Sequence, residues 1–85
     1  MKHIKIAHYV GDYRLEVEFD DGIRKVVDLA SYLEGEVFEP LKNKKYFAAV
    51  TVHPELETVV WENGADFSPE FLYEIGKEVR SAATA

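Results

Sequence analysis

Few residues in this chain are of a type and spacing that could do chemistry. Its three histidines, His3, His8 and His53, never make the H-x-H or H-x-x-x-H spacing with carboxylates that tetrahedral zinc sites use. His8 and His53 both fall on predicted strands, so a meeting across a sheet is the one metal arrangement open to them; surface or half-buried roles suit all three better. Asp20-Asp21-Gly22 sets two carboxylates before a glycine, but a calcium loop needs further oxygen ligands and a glutamate at its twelfth position. The triplet reads more simply as a turn. Ser31 and Ser68 lack the G-x-S-x-G setting of an activated nucleophile, and the five glycines are isolated rather than grouped into a phosphate-cradling loop. With no cysteine there is no thiolate nucleophile, disulfide or cysteine-based metal centre. No enzyme activity, metal or cofactor is expected.

One cluster has a case. Trp61-Glu62-Asn63-Gly64-Ala65-Asp66 gathers a ring, an amide and carboxylates just ahead of a predicted helix start. As architecture, Asn63-Gly64 supplies the positive φ by which the chain leaves a strand, Trp61 fills the core, and Asp66 accepts backbone N–H groups before the helix. As a contact surface, Trp61, Asn63, Gly64 and Asp66, with Tyr73 on the helix that follows, would meet a partner beside the positive end of a helix dipole. Architecture is the favoured reading. Asp66 opposes an anion there, so a protein partner fits this cluster better than a small ligand.

The elements that must position these residues are legible from periodicity. Tyr13 to Phe19 alternates apolar and polar residues, the pattern of a strand with one face on the core. Asp-Gly between two β-prone runs is a hairpin signal; with Asp21-Gly22 as a two-residue type I′ loop, Val17 would face Val26 and Glu18 would face Lys25. Ile4 to Val10 adds a strand upstream, broken by Gly11-Asp12, which makes a three-stranded meander. Ala30 to Glu34 and Val37 to Leu41 read as short helical turns, limited by Gly35 and Pro40. Asn43-Lys44-Lys45 is a polar break, Phe47 to His53 a strand, Pro54 to Glu57 a turn, and Thr58 to Glu62 the return strand of a second hairpin. A final helix opens with Ser68 as N-cap, Pro69 in its first turn and Glu70 at the positive dipole end. Phe67 would staple against Leu72, and Phe71, Ile75 and Val79 form an apolar stripe that lays the helix on the sheet. The expected fold is α+β: about five antiparallel strands, short helical turns between them, and a C-terminal helix on the sheet. It forms one domain over residues 1–80, with a flexible tail at 81–85.

At 85 residues the chain holds one modest core, burying roughly 60–65% of its unfolded surface. The 47% hydrophobic content and the aromatic residues (one Trp, five Tyr, five Phe) supply the packing. The N-terminus has no long apolar run, and no segment approaches the roughly 18 apolar residues that span a membrane, so a cytoplasmic, soluble protein is expected. Sixteen acidic against ten basic residues leave a net charge of −6, which repels phosphate backbones and favours a basic protein partner over nucleic acid. An uncovered edge strand would also allow a homodimer.

In order along the chain stand Phe19-Asp20-Asp21-Gly22, Val27-Asp28-Leu29, Val37-Phe38-Glu39-Pro40-Leu41, Phe47 with Val50 and Val52, then Trp61-Glu62-Asn63-Gly64-Ala65-Asp66 through Pro69-Glu70 to Leu72-Tyr73. With these residues the chain resembles the bacterial domain of unknown function 2442, departing from it at Glu62, where many relatives carry proline. The resemblance implies an α+β fold with a meandering sheet and a packed helix, and it implies no enzyme. It also implies stand-alone domains, domains ahead of a DNA-binding helix-turn-helix, or partners in arrangements like toxin–antitoxin pairs. Since the chain stops at Ala85, no DNA-reading half is expected. Two functions follow as expectations: a non-enzymatic interaction module, antitoxin-like or regulatory, for a basic protein; or a small-ligand sensor with a pocket near Trp61.

Overall fold

The computed structural model describes residues 1–79, so the tail expected at 81–85 lies outside the described residues. In chain order the elements are β1 (Ile4–Tyr9), β2 (Arg14–Phe19), β3 (Arg24–Asp28), two 3-10 turns (Ala30–Tyr32 and Glu39–Lys42), α1 (Lys44–Ala48), β4 (Thr51–Val52), β5 (Val59–Val60), α2 (Pro69–Ile75) and β6 (Lys77–Glu78). The fold is α+β. A four-stranded antiparallel sheet runs β1-β2-β3-β6, and β4 pairs with β5 in a second, two-stranded sheet.

Strand alternation sets the two faces of the larger sheet. Leu15, Val17 and Phe19 are all but fully buried, while Glu16 and Glu18 point the other way, as a period of two requires. In β1, Ile4 and Ala7 both pack toward the core although they stand three positions apart, an odd spacing. A register shift between Ile4 and Ile6 makes this work: Ile4 pairs with Phe19 and Ala7 with Val17, because the bulge absorbs one extra residue.

The hairpin between β2 and β3 is offset by one residue from the predicted register. Val17 pairs with Lys25 and Glu18 with Arg24, so the loop is the three residues Asp20-Asp21-Gly22. A two-residue type I′ loop would need positive φ at Asp21, and only Gly22 has it, at 85°. Val26 is thereby turned to the open face. Lys25 takes the position beside Val17 on the core face, and its Nζ reaches the Tyr73 carbonyl at 2.6 Å.

Two further elements differ from the sequence reading. The chain from Lys44 to Ala48 is helical rather than a polar break running into a strand, because Asn43 Oδ1 accepts the backbone N–H of Lys45 at 3.0 Å and of Tyr46 at 3.1 Å. Only Thr51–Val52 remains as strand. The final helix ends at Ile75 instead of continuing through Val79. Gly76 is extended, with φ −73° and ψ 154°, and lies so close to β3 that a Cβ there would be 2.9 Å from each of Leu72 O, Lys25 Cβ and Val27 Cγ1. Beyond it Lys77 and Glu78 pair with Val26 and Lys25, and Val79 N donates to Arg24 O at 2.9 Å.

The start of α2 follows the prediction. Ser68 Oγ accepts the Phe71 N–H at 3.2 Å, and Pro69 and Glu70 occupy the first turn. The ring on which Phe67 stacks is that of Phe71, with centroids 5.8 Å apart and planes at 15°. Leu72 alone of the helix is fully buried; Phe71 and Ile75 are half-buried.

Candidate functional site

Trp61 is 3% exposed. Its indole N–H donates to the Phe47 carbonyl at 2.9 Å, its ring lies 5.5 Å from that of Phe47 and 6.0 Å from that of Phe67, and it belongs to the main core cluster. Both its apolar body and its one donor are therefore satisfied inside the protein.

The residues after it form a turn. Gly64 N donates to Trp61 O and Trp61 N to Ala65 O, each at 2.9 Å, Gly64 has φ 91°, and Asn63 Oδ1 accepts the Ala65 N–H at 3.1 Å. This is the turn already seen after β2. There Gly22 N donates to Phe19 O and Phe19 N to Ile23 O, each at 2.9 Å, and Asp21 Oδ1 accepts the Ile23 N–H at 2.9 Å. An aromatic residue, an acid, Asp or Asn, and glycine stand in the same order in both, so the shared spacing was the sequence signal for this equivalence.

In each turn the remaining polar atom of the Asx side chain ties in a distant segment. Asn63 Nδ2 donates to Val37 O at 2.8 Å, joining the loop after Gly35 to the loop after Trp61. Asp21 Oδ2 accepts from Lys2 Nζ at 2.9 Å and from the Tyr73 hydroxyl at 3.2 Å. The Ile23 N–H, then Lys2, hold the Asp21 carboxyl below the ordinary aspartate range, and the bond to Asp21 raises the Lys2 ammonium. Glu70 is also held low, first by the backbone N–H of Lys2, which it accepts at 3.0 Å.

Tyr73 lies at this second tether, not at the first. Lys2 Nζ lies 4.0 Å and Lys25 Nζ 3.8 Å from the centre of its ring, which meets Phe19 edge-on at 4.8 Å. The five residues singled out from sequence thus separate. Trp61 is core, Asn63, Gly64 and Asp66 are exposed on one loop, and Tyr73 belongs to the Lys2–Asp21 tether. No side-chain hydrogen bond of Asp66 occurs among the described residues; its backbone bridges Val60, and the capping is done by Ser68.

The histidines go separate ways. His53 Nδ1 accepts the N–H groups of Glu55 and Leu56, each at 3.1 Å, within the turn joining β4 and β5, whereas His8 lies on the open face of β1 opposite Glu16. Among the described residues no group of three or more His, Asp or Glu is placed to hold a metal, and no helix is long and apolar enough to cross a membrane. A cavity of about 660 Å³ is lined by Arg14, Val26, Asp28, Tyr32, Ile75 and Lys77 among others, and a smaller one of about 60 Å³ by Ile6, His8, Glu16, Glu18 and Arg24; neither touches any of the five predicted residues.

The profile "Protein of unknown function (DUF2442)" matches residues 4–78. The chain belongs to the DUF2442 family. No curated protein and no solved structure matches it. The matched span of this DUF2442 domain runs from the start of β1 to the end of β6, so it includes both Asx turns, the Asn63–Val37 tether and the groove beside β6, while Lys2 of the other tether lies just ahead of it.

Proposed function

We propose that this DUF2442 domain is a non-catalytic interaction module, antitoxin-like or regulatory, that presents an acidic surface to a basic protein partner in the bacterial cytoplasm. The observation that carries this reading is the Asn63 Nδ2 to Val37 O bond at 2.8 Å. It joins two acidic loops, one carrying Glu36 and the other Glu62 and Asp66, at Val37, an apolar residue left 48% exposed. Among the described residues none of these three carboxylates takes part in an ion pair, whereas Glu34 and Glu39 are both met by Lys42. An exposed apolar residue on joined loops that carry unpaired carboxylates suits a basic surface with an apolar contact. The net charge of −6 acts in the same direction and against nucleic acid.

The test is affinity capture with the whole chain and with the triple variant Glu36→Lys/Glu62→Lys/Asp66→Lys, each checked for folding by circular dichroism. The reading predicts a basic protein retained by the parent chain, released by moderate salt and lost by the variant. Equal retention by both, or none by either, overturns it. Rescue of growth when the captured protein is toxic and the two are co-expressed would separate an antitoxin from a regulatory subunit.

A further inference from the structure

The four-stranded sheet leaves one face open, and its pairing determines what that face carries. Arg14 pairs with Asp28, Glu16 with Val26, and Val26 with Lys77, so Arg14, Val26, Asp28 and Lys77 share that face. β6 is only two residues long, and β3 continues past it to Asp28. Where the β3–β6 ladder stops, the 3-10 turn Ala30–Tyr32 and the end of α2 at Ile75 stand up as walls. The space between is the cavity of about 660 Å³, within the roughly 300–1,000 Å³ of small-molecule sites.

Its chemistry runs against that of the chain as a whole. In a protein of net charge −6 the groove is lined by two cations, Arg14 and Lys77, and one carboxylate, Asp28. Arg14 is held only loosely, its guanidinium 3.9 Å from an Asp12 carboxylate that is itself 69% exposed, and no ion pair of Lys77 occurs among the described residues. Asp28 Oδ1 already accepts the Ala30 N–H at 3.0 Å. The apolar part of the wall is Val26, Ile75 and Tyr32, a residue 41% exposed whose ring is braced edge-on against Phe71 at 5.0 Å.

We infer that this groove binds a small organic carboxylate with an aromatic or branched body. The carboxylate would lie on the Arg14 fork, which matches its two oxygens, with Lys77 adding a second positive charge, and the body would lie against Tyr32, Ile75 and Val26. Asp28 opposes the anion, but two cations outnumber it and one of its oxygens is engaged by the backbone. The groove shares no residue with the acidic surface around Asn63, so the two readings stand or fall separately.

Benzoate, benzamide and benzylamine serve as probes of equal shape and different charge, titrated to about 10 mM into the 15N-labelled chain while amide shifts are followed. Benzoate should move the amides of Arg14, Asp28, Ser31, Tyr32, Ile75 and Lys77, with benzamide at least tenfold weaker and benzylamine weaker still. Arg14→Gln, whose exposed position keeps the fold and whose spectrum shows it, should weaken benzoate about tenfold, and Lys77→Gln should weaken it less. Shifts spread over the surface, equal binding of benzamide, benzoate affinity unchanged in Arg14→Gln, or no shifts at all would each overturn the assignment.

Discussion

Asp21 and Asn63 hold the same position in the same three-residue turn: each accepts through Oδ1 the backbone N–H two residues on, from Ile23 and Ala65 respectively, and each is followed by a glycine of positive φ. The polar block that looked most like a site in the sequence is therefore built on a turn that the fold uses twice. The two copies part company only in what the free Asx atom reaches.

Gly64 and Gly76 predict different costs for one substitution. Alanine at Gly64 meets nothing within 4 Å, but the backbone sits at φ 91°, so Gly64→Ala should cost about 1–2 kcal/mol from left-handed strain alone. At Gly76 the φ of −73° suits any residue, while the Cβ would be 2.9 Å from three β3 and helix atoms. Gly76→Ala should cost about 1–3 kcal/mol as overpacking and should loosen β6 specifically. Hydrogen exchange at Val79 N, bonded to Arg24 O, should rise in Gly76→Ala and stay unchanged in Gly64→Ala.

Trp61 predicts a stability effect. Its burial and its bond to Phe47 O make Trp61→Ala about 3–5 kcal/mol destabilising in urea unfolding. An unchanged unfolding midpoint would show the ring to be dispensable to the core.

The Lys2–Asp21–Tyr73 tether predicts a pH dependence. Asp21 has its folded pKa lowered, chiefly by the Ile23 N–H and then by Lys2, so its contribution is present above the unfolded aspartate value of about 4 and is lost as pH falls through the lower folded value. Lys2 is raised, chiefly by Asp21, so its contribution is complete below the unfolded lysine value of about 10.4 and is lost as pH rises beyond it. Asp21→Asn should flatten both limbs of the Tm-versus-pH curve, below about pH 4 and above about pH 10. A curve identical to the parent's would mean that the tether is not formed in solution.

Asn43→Ala should unfasten α1. The side chain accepts two N–H groups of its first turn, and such caps are worth about 1 kcal/mol. The expected result is a lower Tm with faster exchange at Lys45 and Tyr46 N–H; Asn43→Asp, which keeps the acceptor, should restore both.

Local chemistry alone determined much of this protein. The alternation from Tyr13 to Phe19 specified β2 and its buried face, and Ser68-Pro69-Glu70 specified where α2 begins, because a strand's two faces and a helix's first turn are decided by residues adjacent in the chain. Trp61 as core and Asn63-Gly64 as a turn followed for the same reason. Contacts between distant segments decided the rest. The stripe Phe71, Ile75, Val79 is helical by its spacing, yet α2 stops because Gly76 packs against Val27 and Lys25, and the backbone beyond it gains partners on the uncovered edge of β3. The one-residue offset of the β2–β3 hairpin sent Lys25 to the core face and Val26 to the open one. Tyr73 meeting Lys2 and Asp21, Val37 meeting Asn63, and the groove of Arg14, Lys77 and Tyr32 all join segments remote in sequence. Periodicity records which way a residue faces within its own element; only the packing of elements decides which residue it will face.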